Sequence, residues 1–139
     1  MAFMTSRPHR VRLGETDGNS VAAALYALLD RGVARMPELA ARTKGAVVLR
    51  FDEGYAPVRV AFTPAEVVVE DGEDAADATI EGRLPDVIAM TRAPLLAGVP
   101  NPANRAGRAA LARLARGHVR VRGRRDLSRA LLRLLALDA

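Results

Sequence analysis

The chain contains no cysteine and no tryptophan. Disulfides, thiolate zinc sites and cysteine nucleophiles are therefore excluded, and the lack of cysteine fits a reducing, cytoplasmic setting. The two histidines, His9 and His118, stand far apart, with no metal-ligand spacing around them. No metal or cofactor is expected. Aromatic side chains are few, and the last of them, Phe62, lies well before the C-terminal third. No apolar run reaches the roughly 18 residues of a spanning helix. The stretch "VAAALYALL" (21–29) reads as an ordinary first helix rather than a signal sequence, because Glu15 and Asp17 precede it and no small-residue cleavage site follows.

Catalytic patterns are missing as well. Ser6, Ser20 and Ser128 have no histidine or acid at a motif spacing, and the acidic run Asp71–Asp77 lacks the glutamate that closes a calcium loop. No glycine pattern resembles a phosphate cradle. The chain is expected not to be an enzyme.

What is present is a sharp charge division and abundant aliphatics. Half of the 139 residues are apolar, enough for one domain with a real core. The net charge of +5 conceals ten acids against two bases in residues 51–90, and ten arginines against Asp126 alone in residues 105–133. Arg120 and Arg122 fall on outward strand positions, where Glu66, Glu70 or Glu81 could oppose them. The arginines thus read first as a solvated, internally compensated face. Attraction to an anionic membrane surface comes second. Nucleic acid comes last, since no aromatics accompany them for base stacking.

Hydrophobic periodicity divides the chain. Residues 1–18 read as a flexible leader and 19–139 as the domain. Asn19 or Ser20 caps a helix carrying Val21, Leu25, Leu28 and Leu29, which Gly32 interrupts; Pro37–Thr43 forms a short second segment. Strict alternation follows in 46–51, 58–62, 66–70 and 78–82, which reads as a four-stranded antiparallel meander, apolar on one face and covered on that side only. Helical spacing returns in "GRLPDVIAMTR" (82–92). The proline-broken stretch 93–104 cannot be regular, yet carries Leu95, Leu96 and Val99. Asn104 caps a helix through Arg116, with Leu111 and Leu114 inward. "HVRVRG" (118–123) supplies a fifth strand, and Asp126 caps a last helix bearing Leu127, Ala130, Leu131, Leu134 and Leu135, with Leu132 and Leu137 widening its face. The fold class is α+β: a five-stranded, mainly antiparallel sheet covered on one face by helices.

Two stretches, "ADATIEGRLPDVIAM" (76–90) and "GHVRVRGRRDLSRALLRLL" (117–135), in this order and spacing, resemble the sterol carrier protein type 2 lipid-binding domain. The likeness covers roughly residues 20–137. It implies a non-catalytic carrier whose partner is a hydrophobic lipid (fatty acid, acyl-CoA, sterol or isoprenoid type), held in an apolar tunnel between sheet and helices. By the same resemblance the lining is Val60 and Phe62 of the second strand, Ile80 of the fourth, and Ile88 and Met90 of the following helix. Leu95 and Leu96 of the loop, Leu111 and Leu114 of the next helix, and Leu131 and Leu135 of the last complete it, with the 93–104 loop and the last helix as gate. Two features depart from the family pattern. Arg124 and Arg125 intervene before Asp126, and the chain ends Leu-Asp-Ala rather than in a peroxisomal tripeptide. The alternative is a non-catalytic interaction module whose basic C-terminal third docks an acidic protein or nucleic acid.

Overall fold

A computed structural model of the chain describes residues 10–14, 16, 18–92, 95–96, 99–100, 102–103 and 105–136, except the side chains at 92, 95, 96, 99 and 100. The first strand, β1 (Arg10–Leu13), lies within the stretch expected to be a leader. Helix α1 (Ser20–Arg35) is capped by Asn19, whose Oδ1 accepts the Val21 and Ala22 amides at 3.0 and 3.2 Å. The same side chain donates to Asp71 at 2.8 Å, tying the helix start to the sheet. Gly32 does not interrupt α1. It is buried inside the helix, and its need is tertiary, because a Cβ there would collide with the Leu134 carbonyl. Helix α2 (Pro37–Arg42) follows, with Pro37 in its first turn and Thr43 Oγ1 donating to the Leu39 carbonyl at 2.6 Å.

The alternating segments form β2 (Gly45–Phe51), β3 (Val58–Phe62), β4 (Glu66–Asp71) and β5 (Ala78–Gly82). Helix α3 (Leu84–Arg92) comes next, then β6 (Leu95–Leu96), β7 (Val99–Pro100), α4 (Arg105–Ala115), β8 (Val119–Gly123) and α5 (Arg125–Leu135). The main sheet has six strands rather than five, in the order β1-β4-β3-β2-β5-β8. It is mixed, since β1 runs parallel to β4 and β5 parallel to β2. β1 escaped sequence reading because four residues among polar neighbours give too short an alternation. Only pairing against Glu66–Val69 makes them a strand.

The meander also fails at β5. This strand leaves β4 and pairs on the far side of β2, so residues 72–77 must cross β3 and β2. Six extended residues reach about 20 Å, enough for the crossing. Outward-register side chains hold the connection: Arg59 donates to the Asp74 carbonyl at 2.8 Å, and Arg50 pairs with Glu73 at 3.6 Å. Asp77 anchors its end, exchanging two 2.9 Å hydrogen bonds with the Ala46 backbone through its own amide and carboxylate. The crossing accounts for the burial of Ala46 and Val48, which share the outward register with Arg50. The second face of the sheet is therefore partly covered, contrary to the one-sided expectation.

On the inner face, Val47, Leu49, Val58, Val60, Phe62, Val67, Val69 and Ile80 meet Leu25 and Leu29 of α1 and Leu127, Leu131, Leu134 and Leu135 of α5. The helices meet at Gly32 and Leu134, and Arg35 donates to the Arg133 and Ala136 carbonyls at the end of α5. The 93–104 stretch contains regular structure after all. β6 and β7 form a two-residue antiparallel ladder, short enough to place Pro100 without an interior donor being lost. α4 ends at Ala115, not Arg116. Gly117 takes the left-handed conformation (φ 74°), and the Gly117 and His118 amides bond the Leu114 and Arg113 carbonyls in the pattern of a Schellman stop. α5 starts at Arg125, with Asp126 in the first turn rather than at the cap. The expected cap Asn104 and the apolar Leu137 lie outside the described residues. No helix among the described residues is long and apolar enough to cross a membrane.

Candidate ligand-binding site

The arginine-rich third divides into paired and free guanidiniums. Glu81 lies opposite Arg120 in the β5–β8 register, but its carboxylate meets Arg122 at 3.8 Å, while Arg120 reaches Asp52 at 2.7 Å. Glu66 and Glu70 are taken by Arg12 (3.0 Å) and Arg59 (3.1 Å) instead. Arg113 of α4 pairs with Asp86 of α3 at 3.1 Å. Acidic residues from 51–90 thus meet several arginines of 105–133 within the molecule. Each pair is partly exposed and is worth about 0–1 kcal/mol. Arg125 and Arg129 have no hydrogen bond or ion pair among the described residues.

These two free arginines line a groove of about 490 Å³ at the β8 edge of the sheet. Its floor is Met90 of α3, Leu114 of α4, Val119 and Val121 of β8 and Leu132 of α5. Its rim carries Arg120, Arg122, Arg125 and Arg129 and no carboxylate, and the buried Ser128 also lines it. The sequence explains the split. Alternation in "VRVRG" sends Val119 and Val121 inward, while helical spacing puts Ser128 and Leu132 on one face of α5 and leaves Arg125 and Arg129 exposed beside it. Ser128 is 2% exposed, and its Oγ has no hydrogen-bond partner. Such a hydroxyl costs about 1–3 kcal/mol when left unsatisfied.

A second cavity of about 560 Å³ lies between the end of α2 and the start of α5, lined by Leu39, Arg42, Thr43, Lys44, Arg124, Asp126 and Ala130. Arg42 and Lys44 make no ion pair there among the described residues, while its other polar groups are committed. Arg124 and Asp126 meet at 2.6 Å, and the Thr43 hydroxyl is used by Leu39. The Asp126 carboxyl is held below its ordinary range by the Arg124 hydrogen bond and charge and by the backbone amides at the start of α5, including that of Leu127. Arg124 is raised correspondingly by its hydrogen bond to Asp126. The β8 groove, largely apolar and lined by an unpartnered hydroxyl, is the better candidate for a ligand site.

Of the expected lining residues, the groove brings together Met90 and Leu114. Val60, Phe62, Ile80, Leu131 and Leu135 are packed in the core and line neither cavity. Ile88 points outward at 41% exposure, and Leu111 is half-buried away from the groove lining. The side chains of Leu95 and Leu96 lie outside the described residues. Sequence reasoning missed Val119, Val121, Ser128 and Leu132 as site residues. Leu132, which widened the apolar face of the last helix, was the available signal.

No family model and no curated protein matches the chain. Solved structures do. A structure described as a UbiJ-SCP2 ubiquinone synthesis protein superposes with a TM-score of 0.59 at 18% identity, over 84% of this chain and 93% of its own. The sterol carrier protein domain 2 of Helicoverpa armigera gives 0.57 at 15% identity, over 88% and 90%. With six strands in mixed pairing and helices across the inner face, the chain has the fold of a sterol carrier protein type 2 domain.

Proposed function

We propose that this domain binds a hydrophobic small molecule in the β8 groove without catalysing a reaction, and so acts as a lipid carrier. The observation that carries the reading is the groove itself: five apolar side chains line it, Leu114 and Val121 partly exposed and Met90, Val119 and Leu132 buried behind them, beside a buried hydroxyl with no partner. Its volume falls within the usual range of ligand sites, ~300–1,000 Å³. Burying about ten methylenes would return ~8 kcal/mol gross. Immobilisation costs reduce this, so micromolar affinity or weaker is expected. The fold neighbours, named for sterol carriage and ubiquinone synthesis, support a lipid over other hydrophobic ligands. The internal pairing of Arg113, Arg120, Arg122 and Arg124 speaks against the alternative of a basic docking face.

Organic extraction and mass spectrometry of the purified protein, with titration of a neutral pyrene-labelled alkane, test the proposal. A co-purified lipid or saturable probe binding is expected, and Leu114→Trp should abolish binding by filling the groove from a half-buried position. Saturable binding unaffected by Leu114→Trp would place the ligand elsewhere. No binding of any apolar probe would reject the carrier.

A further inference from the structure

The groove is apolar on one side and cationic on the other, and this division restricts what it can hold. Arg125 and Arg129 are four residues apart on α5, and Ser128 lies between them in sequence and three residues from Arg125. Residues at these spacings share a helix face. All three line the groove. Arg120 and Arg122 share the rim but already meet Asp52 and Glu81. No carboxylate lines the groove, so two like charges stand one helical turn apart with nothing among the described residues to neutralise them. The Ser128 hydroxyl is buried without a partner at the same place.

We propose that Arg125, Arg129 and Ser128 determine specificity, selecting an amphiphile with a single oxyanion head and discriminating against neutral lipids. The inference rests on the groove being the lipid site. The head group lies between the two guanidiniums, which offer fixed forks of N–H donors that match carboxylate or phosphate oxygens. Ser128 Oγ donates to the same head. The tail lies over Met90, Leu114, Val119, Val121 and Leu132. A neutral alcohol, ester or quinone satisfies the apolar floor equally well but leaves the two guanidiniums and the hydroxyl unanswered. The second cavity differs: Arg42 and Lys44 line it without ion pairs among the described residues, but it carries the Asp126 carboxylate, and its Thr43 hydroxyl already has a partner. Because Arg125 and Arg129 are exposed, their attraction for the head is screened by salt.

The test uses the delipidated full chain and displacement of the neutral pyrene-labelled alkane by palmitate, methyl palmitate and hexadecyl phosphate. At low salt palmitate should displace the probe about tenfold more effectively than its methyl ester, and the advantage should shrink at high salt. R125Q/R129Q should remove the advantage, read as the ratio of acid to ester displacement, and R125K/R129K should restore part of it. A further gain for hexadecyl phosphate over palmitate assigns the head to phosphate, and equality or a loss assigns it to carboxylate. Equal displacement by acid and ester in the unmodified protein overturns the proposal, as does a preference for the acid that survives R125Q/R129Q. Failure of the neutral probe to bind at all would instead overturn the lipid reading and this inference with it.

Discussion

Replacing Ser128 by alanine should stabilise the protein while impairing the proposed ligand site. The hydroxyl is 2% exposed and has no partner, so removing it relieves a desolvation cost of about 1–3 kcal/mol. Alanine is also the better helix former within α5, by roughly 0.5 kcal/mol. Against these gains stand the dispersion contacts of one oxygen atom, at ~0.1–0.2 kcal/mol per atom pair, which sum to less than about 1 kcal/mol. The net gain is on the order of 1–2 kcal/mol, or a rise in Tm of roughly 3–6 °C for a domain of this size. Urea denaturation should show a higher midpoint with an unchanged slope. The same variant should bind palmitate several-fold more weakly, separating stability from function at one atom. A lowered midpoint would refute the reasoning, because it would mean that the hydroxyl is hydrogen-bonded in the folded protein.

Two further substitutions test how the site is held in place. Gly32→Ala gains about 1 kcal/mol of helix propensity, but its Cβ would meet the Leu134 backbone, which cannot move without separating α1 from α5. Overpacking of this kind costs about 1–3 kcal/mol or more, so a net loss near 2 kcal/mol is expected in denaturant melts; a stabilised variant would disprove the close crossing. For Asp126, whose folded carboxyl titrates below its ordinary value near 3.8, the contribution is present at neutral pH and lost as pH falls through the folded value. Stability–pH curves of the natural protein and Asp126→Asn should therefore differ at neutral pH and converge at the acid end, and parallel curves throughout would refute the pairing.

Much of this molecule is written in its local periodicity. Alternation placed β2, β3, β4, β5 and β8 within a residue or two, because a half-buried strand repeats every second residue whatever it pairs with. The charge pattern likewise announced a compensated wet face, and Glu81 did meet Arg122 of β8. Pairing partners were another matter. A run of alternating residues does not say which edge it will join, so the meander expected from short links gave way to β5 crossing to β2, where Asp77 receives it. β1 was invisible because four alternating residues are too few to read before pairing with β4 defines them, and Gly32 looked like a break because its function is performed on Leu134, about a hundred positions away. The candidate ligand site shows this division most clearly. Sequence supplied the apolar and basic faces of β8 and α5. Only the packing of α3 and α4 beside them brought Met90, Leu114 and Leu132 to line one groove with two free arginines, because a groove is defined by where neighbouring elements fail to fill space.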